Sequence, residues 1–221
     1  MAARTESKLG EDLARRASRG RTKSSVAFER AIPFGAELSL RSYRLANGLR
    51  ILVVPDASAP VVSYMTWIDV GSRHEKPGKT GLAHLFEHLM FAGTEAHPAG
   101  EFDRLVEAAG AEANAATWVD WTQYYENLPA SMLPLAIELE SDRLANLALD
   151  PKVVATEKDV VANERRYRVD DDVDGTAGEV LYSHAFGDHP YAHPTIGSMA
   201  DILAFTPPDC EAFHRAYYVP N

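Results

Sequence analysis

Two histidines and a glutamate in one short apolar segment are the residues of this chain best suited to chemistry. They are His84, Glu87 and His88, in the order His-x-x-Glu-His within the segment GLAHLFEHLMFAG. The other residues there are apolar or small, which predicts a buried helix that begins with Thr80 as N-cap and stops at Gly93. Ionisable side chains on such a helix are costly unless they are paired or bind a metal.

The spacing of the two histidines is typical of a metal site. His84 and His88 are four residues apart, so both imidazole rings project from one face of the helix, one turn apart. Glu87 flanks this face without having to be a ligand. The order is the mirrored form of the zincin motif, the inverzincin pattern. The alternative is a chance arrangement of histidines in a protein core.

A zinc ion with two histidine ligands needs a third ligand from another element, since zinc sites that do chemistry have three protein ligands and an open position for water. A predicted helix opens at Asp150-Pro151 and runs to about Val169. Glu157 and Glu164 lie seven residues apart on its apolar face. Spacing alone leaves open which glutamate binds the metal and which accepts a hydrogen bond from the other ring nitrogen of a ligand histidine.

These residue types imply metal-assisted hydrolysis. Zinc lowers the pKa of bound water toward about 7 and stabilises the charge that develops on a carbonyl oxygen. Glu87 would take the proton of that water and return it to the leaving amine. A structural zinc site is the alternative, but such sites normally close all four positions with Cys or His. Cys210 is the only cysteine of the chain, which argues against it.

Composition limits the remaining classes of protein. The chain has 221 residues, of which 46% are hydrophobic and 24% charged, as in ordinary globular domains. Its net charge of −10 argues against a nucleic-acid partner. No apolar run approaches a transmembrane segment, and no secretory signal is seen, so the location leans toward the cytoplasm. We expect residues 1–35 to form a mobile polar tail with a short helix from Leu9 to Arg19.

Hydrophobic patterns predict an α+β domain over residues 36–221, with an antiparallel-rich sheet packed against helices. The predicted strands are Leu38–Leu45, Leu49–Pro55, Pro60–Val70, Ala111–Trp118 and Thr122–Leu128. A tight turn at Asn47-Gly48 joins the first two. The predicted helices after the histidine motif are Gly100–Ala109, Leu133–Leu147, Asp150–Val169, Gly178–Phe186 and Pro208–Tyr217.

Several charged residues of these helices are predicted to point mostly to solvent. They are Glu138, Glu140, Asp142 and Arg143 on one helix, and Lys158 and Arg165 on the next. Two further histidines, His189 and His193, lie in a Pro-Gly-rich connection. We expect them to be structural or exposed, the alternative being that they line a cleft.

Four separated motifs resemble those of a known family and follow the same order along the chain. They are GLAHLFEHLMFAGT, EANAATWVDWTQYYENLP, TEKDVVANERR and the closing AFHRAYYVPN. From about Leu40 to Asn221 the sequence resembles the pitrilysin–insulinase inverzincin metallopeptidases. The resemblance implies the LuxS/pitrilysin-like metalloenzyme fold, zinc-dependent endopeptidase activity on a peptide or small protein, and one Zn²⁺ per chain.

The resemblance also assigns roles to individual residues. By position it implies His84, His88 and Glu164 as the zinc ligands and Glu87 as the base. Glu157 then resembles the family's acid that hydrogen-bonds to a ligand histidine.

Asn114 and Ala115 correspond to the family's edge strand, which holds the backbone of an extended substrate as an added strand. Family members continue past the equivalent of YYVPN into another strand, a helix and a second, similar domain that contributes an Arg and a Tyr. We therefore expect a truncated first half that needs a partner domain or subunit. The alternative is a zinc-binding subunit without catalytic activity of its own.

Overall fold

The computed structural model describes residues 2–19 and 25–220. The chain divides into two compact units, Met1–Pro60 with Pro220–Asn221, and Val61–Val219. The division falls at residue 60 rather than at the predicted domain boundary after residue 35. Among the described residues, every helix is too short or too polar to cross a lipid bilayer.

The first unit pairs a helix with a small antiparallel sheet. It contains α1 (Ala2–Ala17), β1 (Val26–Phe34), β2 (Leu38–Leu45) and β3 (Arg50–Val53), with strand order β1-β2-β3. The strand predicted at Leu38–Leu45 is confirmed to the residue, and so is the tight turn that follows it, where Gly48 has a φ of 99°.

Much of the expected polar tail is regular structure instead. The chain forms α1 and β1 there, whereas residues 1 and 20–24 lie outside the described part. Strand β1 pairs with β2 along its length, and Phe28 packs edge-on against Tyr43 with ring centroids 5.6 Å apart. The Arg41 guanidinium also binds the Glu6 carboxylate at 2.7 Å. The predicted short helix from Leu9 to Arg19 overlaps α1, which begins earlier, at Ala2. Strand β1 was missed because the segment before it is polar and its partner strand is β2.

The second unit is a three-stranded antiparallel sheet with seven helices among the described residues. Its elements are β4 (Val61–Ile68), α2 (Leu82–Leu89), α3 (Glu101–Ala108), β5 (Glu112–Thr117), β6 (Thr122–Pro129), α4 (Leu133–Asn146), α5 (Pro151–Arg165), α6 (Val173–Phe186), α7 (Met199–Ala204) and α8 (Pro207–Tyr217). The strand order is β4-β6-β5. The predicted α+β class with antiparallel pairing is confirmed, whereas α7 was not predicted.

Helix α2 lies at the centre of the core of this unit. Its apolar residues are buried on every side, as its composition predicted. Phe86 is fully buried and packs against Phe213 of α8, with ring centroids 5.0 Å apart. The hydroxyl of Tyr124 on β6 donates to the Phe86 carbonyl at 3.2 Å. The sheet and α8 therefore fix the helix that carries the histidines.

Two charged residues of α4 contradict the prediction that they face solvent. Glu140 and Arg143 are 1% and 3% exposed. Their side chains pair with each other, and the Arg143 guanidinium lies over three aromatic rings at 4.7–5.0 Å. Ring faces attract a desolvated cation, so the pair is stabilised inside the protein. Those rings belong to Phe91, Phe102 and Tyr124.

Candidate metal centre

Three side chains from two helices meet at one point. His84 and His88 project from α2, and Glu164 projects from the last turn of α5. One donor atom from each lies within 4.8 Å of the others. Glu164 Oε2 is 3.7 Å from His84 Nε2 and 3.3 Å from His88 Nε2. Two imidazole nitrogens and one carboxylate oxygen thus converge, and the set leaves a fourth position open.

The donor set fits a zinc ion. Glu164 Oε2 is buried and, among the described residues, accepts no hydrogen bond of good geometry, although His88 Nε2 lies 3.3 Å away. A buried carboxylate oxygen without such a bond is costly. A cation between this oxygen and the two imidazoles would remove that cost. Three ligands of the His₂Glu type with an open position are characteristic of catalytic zinc sites.

The surroundings set the charge of each ligand. Burial lowers the pKa of His84 to about 4, so its imidazole is neutral and able to ligate at neutral pH. Burial would lower the pKa of His88 as well, but the carboxylates of Glu157 and Glu164 outweigh it and raise this pKa to about 9. Contact with His88 in turn holds the pKa of Glu164 below its ordinary value. The carboxylates that favour a proton on His88 would equally favour a metal cation, and binding of the cation would release that proton.

Two side chains contact the candidate ligands on the side away from the point of convergence. Glu157 Oε2 lies 3.5 Å from His88 Nδ1, on the side of the ring away from Glu164. Arg168 Nε lies 3.1 Å from the outer oxygen of Glu164, Oε1. Arg168 belongs to a π-helical turn, Arg166–Asp170, that continues α5. His88 and Glu164 thus each present one donor atom to the centre while the other polar atom is held elsewhere, whereas His84 Nδ1 has no hydrogen-bond partner among the described residues.

Glu87 lies next to His88 on α2 and faces β5. Its Oε2 accepts a 2.6 Å hydrogen bond from the hydroxyl of Thr117, the last residue of β5. Burial raises the pKa of Glu87, and the bond from Thr117 opposes that rise. A half-buried carboxylate on the same helix as the two histidines is a suitable proton acceptor.

The N-terminus of α2 is held by a carboxylate that the sequence reading missed. The N-cap is Gly81 with a φ of 93°, rather than the predicted Thr80. Both oxygens of Glu75 accept backbone N–H groups there, from Gly81 and from Ala83, each at 2.8 Å. A residue with a side chain cannot easily adopt this φ, so the cap has to come from outside the helix. Glu75 therefore fixes the turn that carries His84.

A short segment before α7 packs directly on that turn. A Cβ at Gly81 would overlap the Ile196 carbonyl, and one at Gly197 would overlap the Thr80 carbonyl. The Thr80 hydroxyl donates to Asp201 at 2.6 Å and accepts from the backbone of the same segment. Glycine is therefore needed on both sides of this contact.

The same segment and α7 also hold α5, through two cations that were predicted to face solvent. Arg165 is 7% exposed; its guanidinium donates to the Gly197 carbonyl and to Glu179. Lys158 Nζ donates to the carbonyls of Leu203 and Phe205 at 2.9 and 2.6 Å. The prediction failed because these partners lie 14 to 47 residues further along the chain, in other elements. As a result, one segment ties together the two helices that carry the ligands.

The residues predicted to bind substrate lie on an edge of the described sheet. Asn114 and Ala115 are in β5, which pairs with β6 on one side only within the described residues. The Ala115 N–H donates to the Asn114 side-chain oxygen at 2.8 Å. The Ala115 N–H at the sheet edge is thus satisfied by the neighbouring Asn114 side chain and not by another strand.

The two loop histidines lie away from the ligand cluster. His189 accepts the Tyr191 N–H at 3.2 Å and caps a short 3₁₀ turn. His193 Nδ1 lies 3.8 Å from Glu75 Oε2. Neither belongs to the group of donors around Glu164.

Comparisons with known proteins give consistent results. The model of the insulinase family, peptidase family M16, matches residues 50–199. The chain is 36% identical over 198 residues to the zinc protease PqqE of Helicobacter pylori, covering 86% of this chain and 45% of that protein.

Solved structures agree with the sequence comparison. A protease from Helicobacter pylori superposes with a TM-score of 0.80 and 37% identity, over 82% of this chain and 44% of that one. The first half of the periplasmic protease PqqL from Escherichia coli superposes with a TM-score of 0.76 and 26% identity, over 86% of this chain and 42% of that one. The chain thus spans less than half the length of these relatives.

Proposed function

Because this chain belongs to the insulinase family of peptidases, family M16, we propose that it carries the zinc site of an endopeptidase that cleaves extended peptides. Zn²⁺ is the metal of the zinc proteases to which it is similar. The observation that carries the proposal is the convergence of His84, His88 and Glu164, with a buried Glu164 oxygen that lies between two imidazoles and accepts no well-aligned hydrogen bond. Glu87 lies beside the helix face that carries the two histidines and is not one of the three candidate ligands.

Each residue has one role in the proposed reaction. His84, His88 and Glu164 hold the metal, and Glu157 orients His88 through Nδ1. When bound, zinc supplies a Lewis acid that acidifies a water and polarises the peptide carbonyl. Glu87 accepts the proton of the attacking water and passes it to the amine that leaves.

The substrate is proposed to bind along the edge of β5. A peptide carbonyl would replace the Asn114 oxygen on the Ala115 N–H, because an extended chain satisfies edge groups in the same way as a neighbouring strand. Main-chain pairing of this kind accepts many sequences. The substrate class is therefore an unstructured or locally unfolded peptide.

We further propose that a second domain or subunit completes the binding surface. The relatives are more than twice as long as the matched region, and their remaining length is available to cover the open edge of β5. In this proposal the present chain binds zinc by itself, and full activity needs the additional part.

The experiment measures zinc content and hydrolysis of an unstructured peptide for wild type, Glu87→Gln and Glu107→Gln. Glu107 is an exposed acid on α3 and serves as the matched control. We expect about one zinc per chain in all three, and in Glu87→Gln a rate about 10²–10⁴-fold lower than in the other two.

Activity that survives in Glu87→Gln would remove the assigned base. If the wild type binds zinc but is inactive, and activity appears when the remaining part of the protein or its partner is added, the result would support the proposal that a second domain or subunit is needed. Absence of zinc from the wild type would contradict the metal site itself.

A further inference from the structure

The hydroxyl of Thr117 makes a contact that the proposed roles leave unexplained. It donates to Glu87 Oε2 at 2.6 Å. A hydrogen bond to a carboxylate is stronger than one between neutral groups. Thr117 belongs to β5, whereas Glu87 belongs to α2, so the bond joins the strand proposed to hold the peptide to the helix that carries the base.

The backbone that follows Thr117 is firmly held. The carbonyls of Trp118 and Val119 accept the N–H groups of Ser72 and Arg73 at 3.2 and 2.9 Å. A Cβ at Gly71 would overlap the Trp118 carbonyl. The turn between β5 and β6 is therefore packed tightly against the segment after β4. A hydroxyl mounted on it has a well-defined position.

We propose that Thr117 is a positioning residue for Glu87, and that its hydroxyl makes the two oxygens of that carboxylate unequal. Oε2 is retained by Thr117, so Oε1 is the oxygen that takes the proton from water and gives it to the leaving amine. Thr117 keeps its own proton throughout, and the balance of the hydrolysis is unchanged. This inference rests on the proposed function.

The position of Thr117 in β5 extends its effect to the substrate. Thr117 lies two residues after Ala115, so both side chains are on the same face of the strand. The strand that pairs with the peptide backbone at Ala115 thus also sets the position of Glu87 Oε1. One rigid element aligns the scissile bond and the base, which is the kind of positioning that raises kcat.

The test compares Thr117→Val and Thr117→Ser with Thr66→Val in the full-length protein. Thr66 is a matched control: it is half-buried in β4 of the same sheet, and its hydroxyl donates to Glu140 at the same 2.6 Å. Thr117→Val should lower kcat by about 10–100-fold, with KM changed less than about threefold. Thr117→Ser, which keeps the hydroxyl, should recover most of this loss, and zinc content should stay constant.

A second measurement does not depend on activity. Crystal structures of zinc-loaded wild type and Thr117→Val should show one orientation of the Glu87 carboxylate in the former and a turned or divided one in the latter. If the wild type binds zinc but cleaves nothing, the proposed function fails, and the structures still decide the role of Thr117. An unchanged Glu87 orientation in Thr117→Val, or a kcat equal to that of Thr66→Val, would overturn the inference.

Discussion

Replacing Glu126 with glutamine should remove a large part of the pH dependence of stability. Glu126 on β6 and Glu140 on α4 are 2% and 1% exposed and lie side by side. Burial and the neighbouring Glu140 carboxylate, opposed by Arg143, together raise the pKa of Glu126 from 4.5 to about 8. Glu126 is therefore protonated in the folded protein at neutral pH, and ionised once the chain unfolds.

The direction of the pH dependence follows from comparing the protonation of Glu126 in the folded and unfolded states. Below the ordinary value of 4.5 Glu126 carries a proton in both states, so it contributes no pH dependence. Between that value and about 8 only the unfolded state loses the proton, so the free energy of unfolding falls as pH rises. Each pH unit is worth at most 1.36 kcal/mol. From pH 5 to 8 the loss should reach about 3 kcal/mol, somewhat below that limit because buried sites are partly hydrated.

The assay is urea unfolding at several pH values between 5 and 8. Metal-free protein in chelator is required, because zinc binding has its own pH dependence. Glu126→Gln should give a shallower profile but not a flat one, because burial also raises the pKa of Glu75 to about 8 and the pKa of His88 is raised to about 9. Glu138→Gln, which changes an exposed acid on α4, should follow wild type. Parallel profiles for wild type and Glu126→Gln would refute the reasoning, since they would show that Glu126 is ionised inside the fold.

Two further predictions concern the metal centre. Gly81→Ala should lower the free energy of unfolding by more than about 2 kcal/mol, because the new side chain meets an unfavourable φ and overlaps Ile196. It should also reduce zinc content. The control Gly78→Ala, also at positive φ but in open space, should bind zinc normally. Equal zinc content in both variants would show that the contact before α7 does not position His84. Glu157→Gln should weaken zinc binding about 10–100-fold, and Glu164→Gln should weaken it more, in competition with a chelator. The reverse order would mean that Glu157 is the ligand.

The elements of the second unit could be predicted because their signals are local. Alternating and helical hydrophobic periods lie within the segment they describe, so β5, β6, α4 and α5 were found within a few residues of their bounds. The pairing of His84 with His88 is equally local, since helix geometry alone brings them together. The choice between Glu157 and Glu164 is different. It needed a family resemblance, because spacing gives no distance between two helices.

Contacts between distant segments account for the failures. Arg143 and Arg165 were expected in solvent because a long cation on a helix usually lies there. Their stabilising partners, aromatic rings in one case and a backbone carbonyl with Glu179 in the other, belong to other elements. Glu75 was missed for the same reason, although a carboxylate ahead of a helix that starts at glycine is a usable signal. Thr117 offered no local signal at all.

The placement of the ligands on α2 and α5 has a consequence for the chain between them. A cation shared by His88 and Glu164 would act as a cross-link that closes a long loop, and such closures restrict the chain within the loop most. That loop contains α3, β5, β6 and α4. Removing the metal would therefore do more than empty the proposed site. It would return conformational freedom to this loop in the unfolded chain, so a chelator should also lower the free energy of unfolding of the unit that contains β5 and β6.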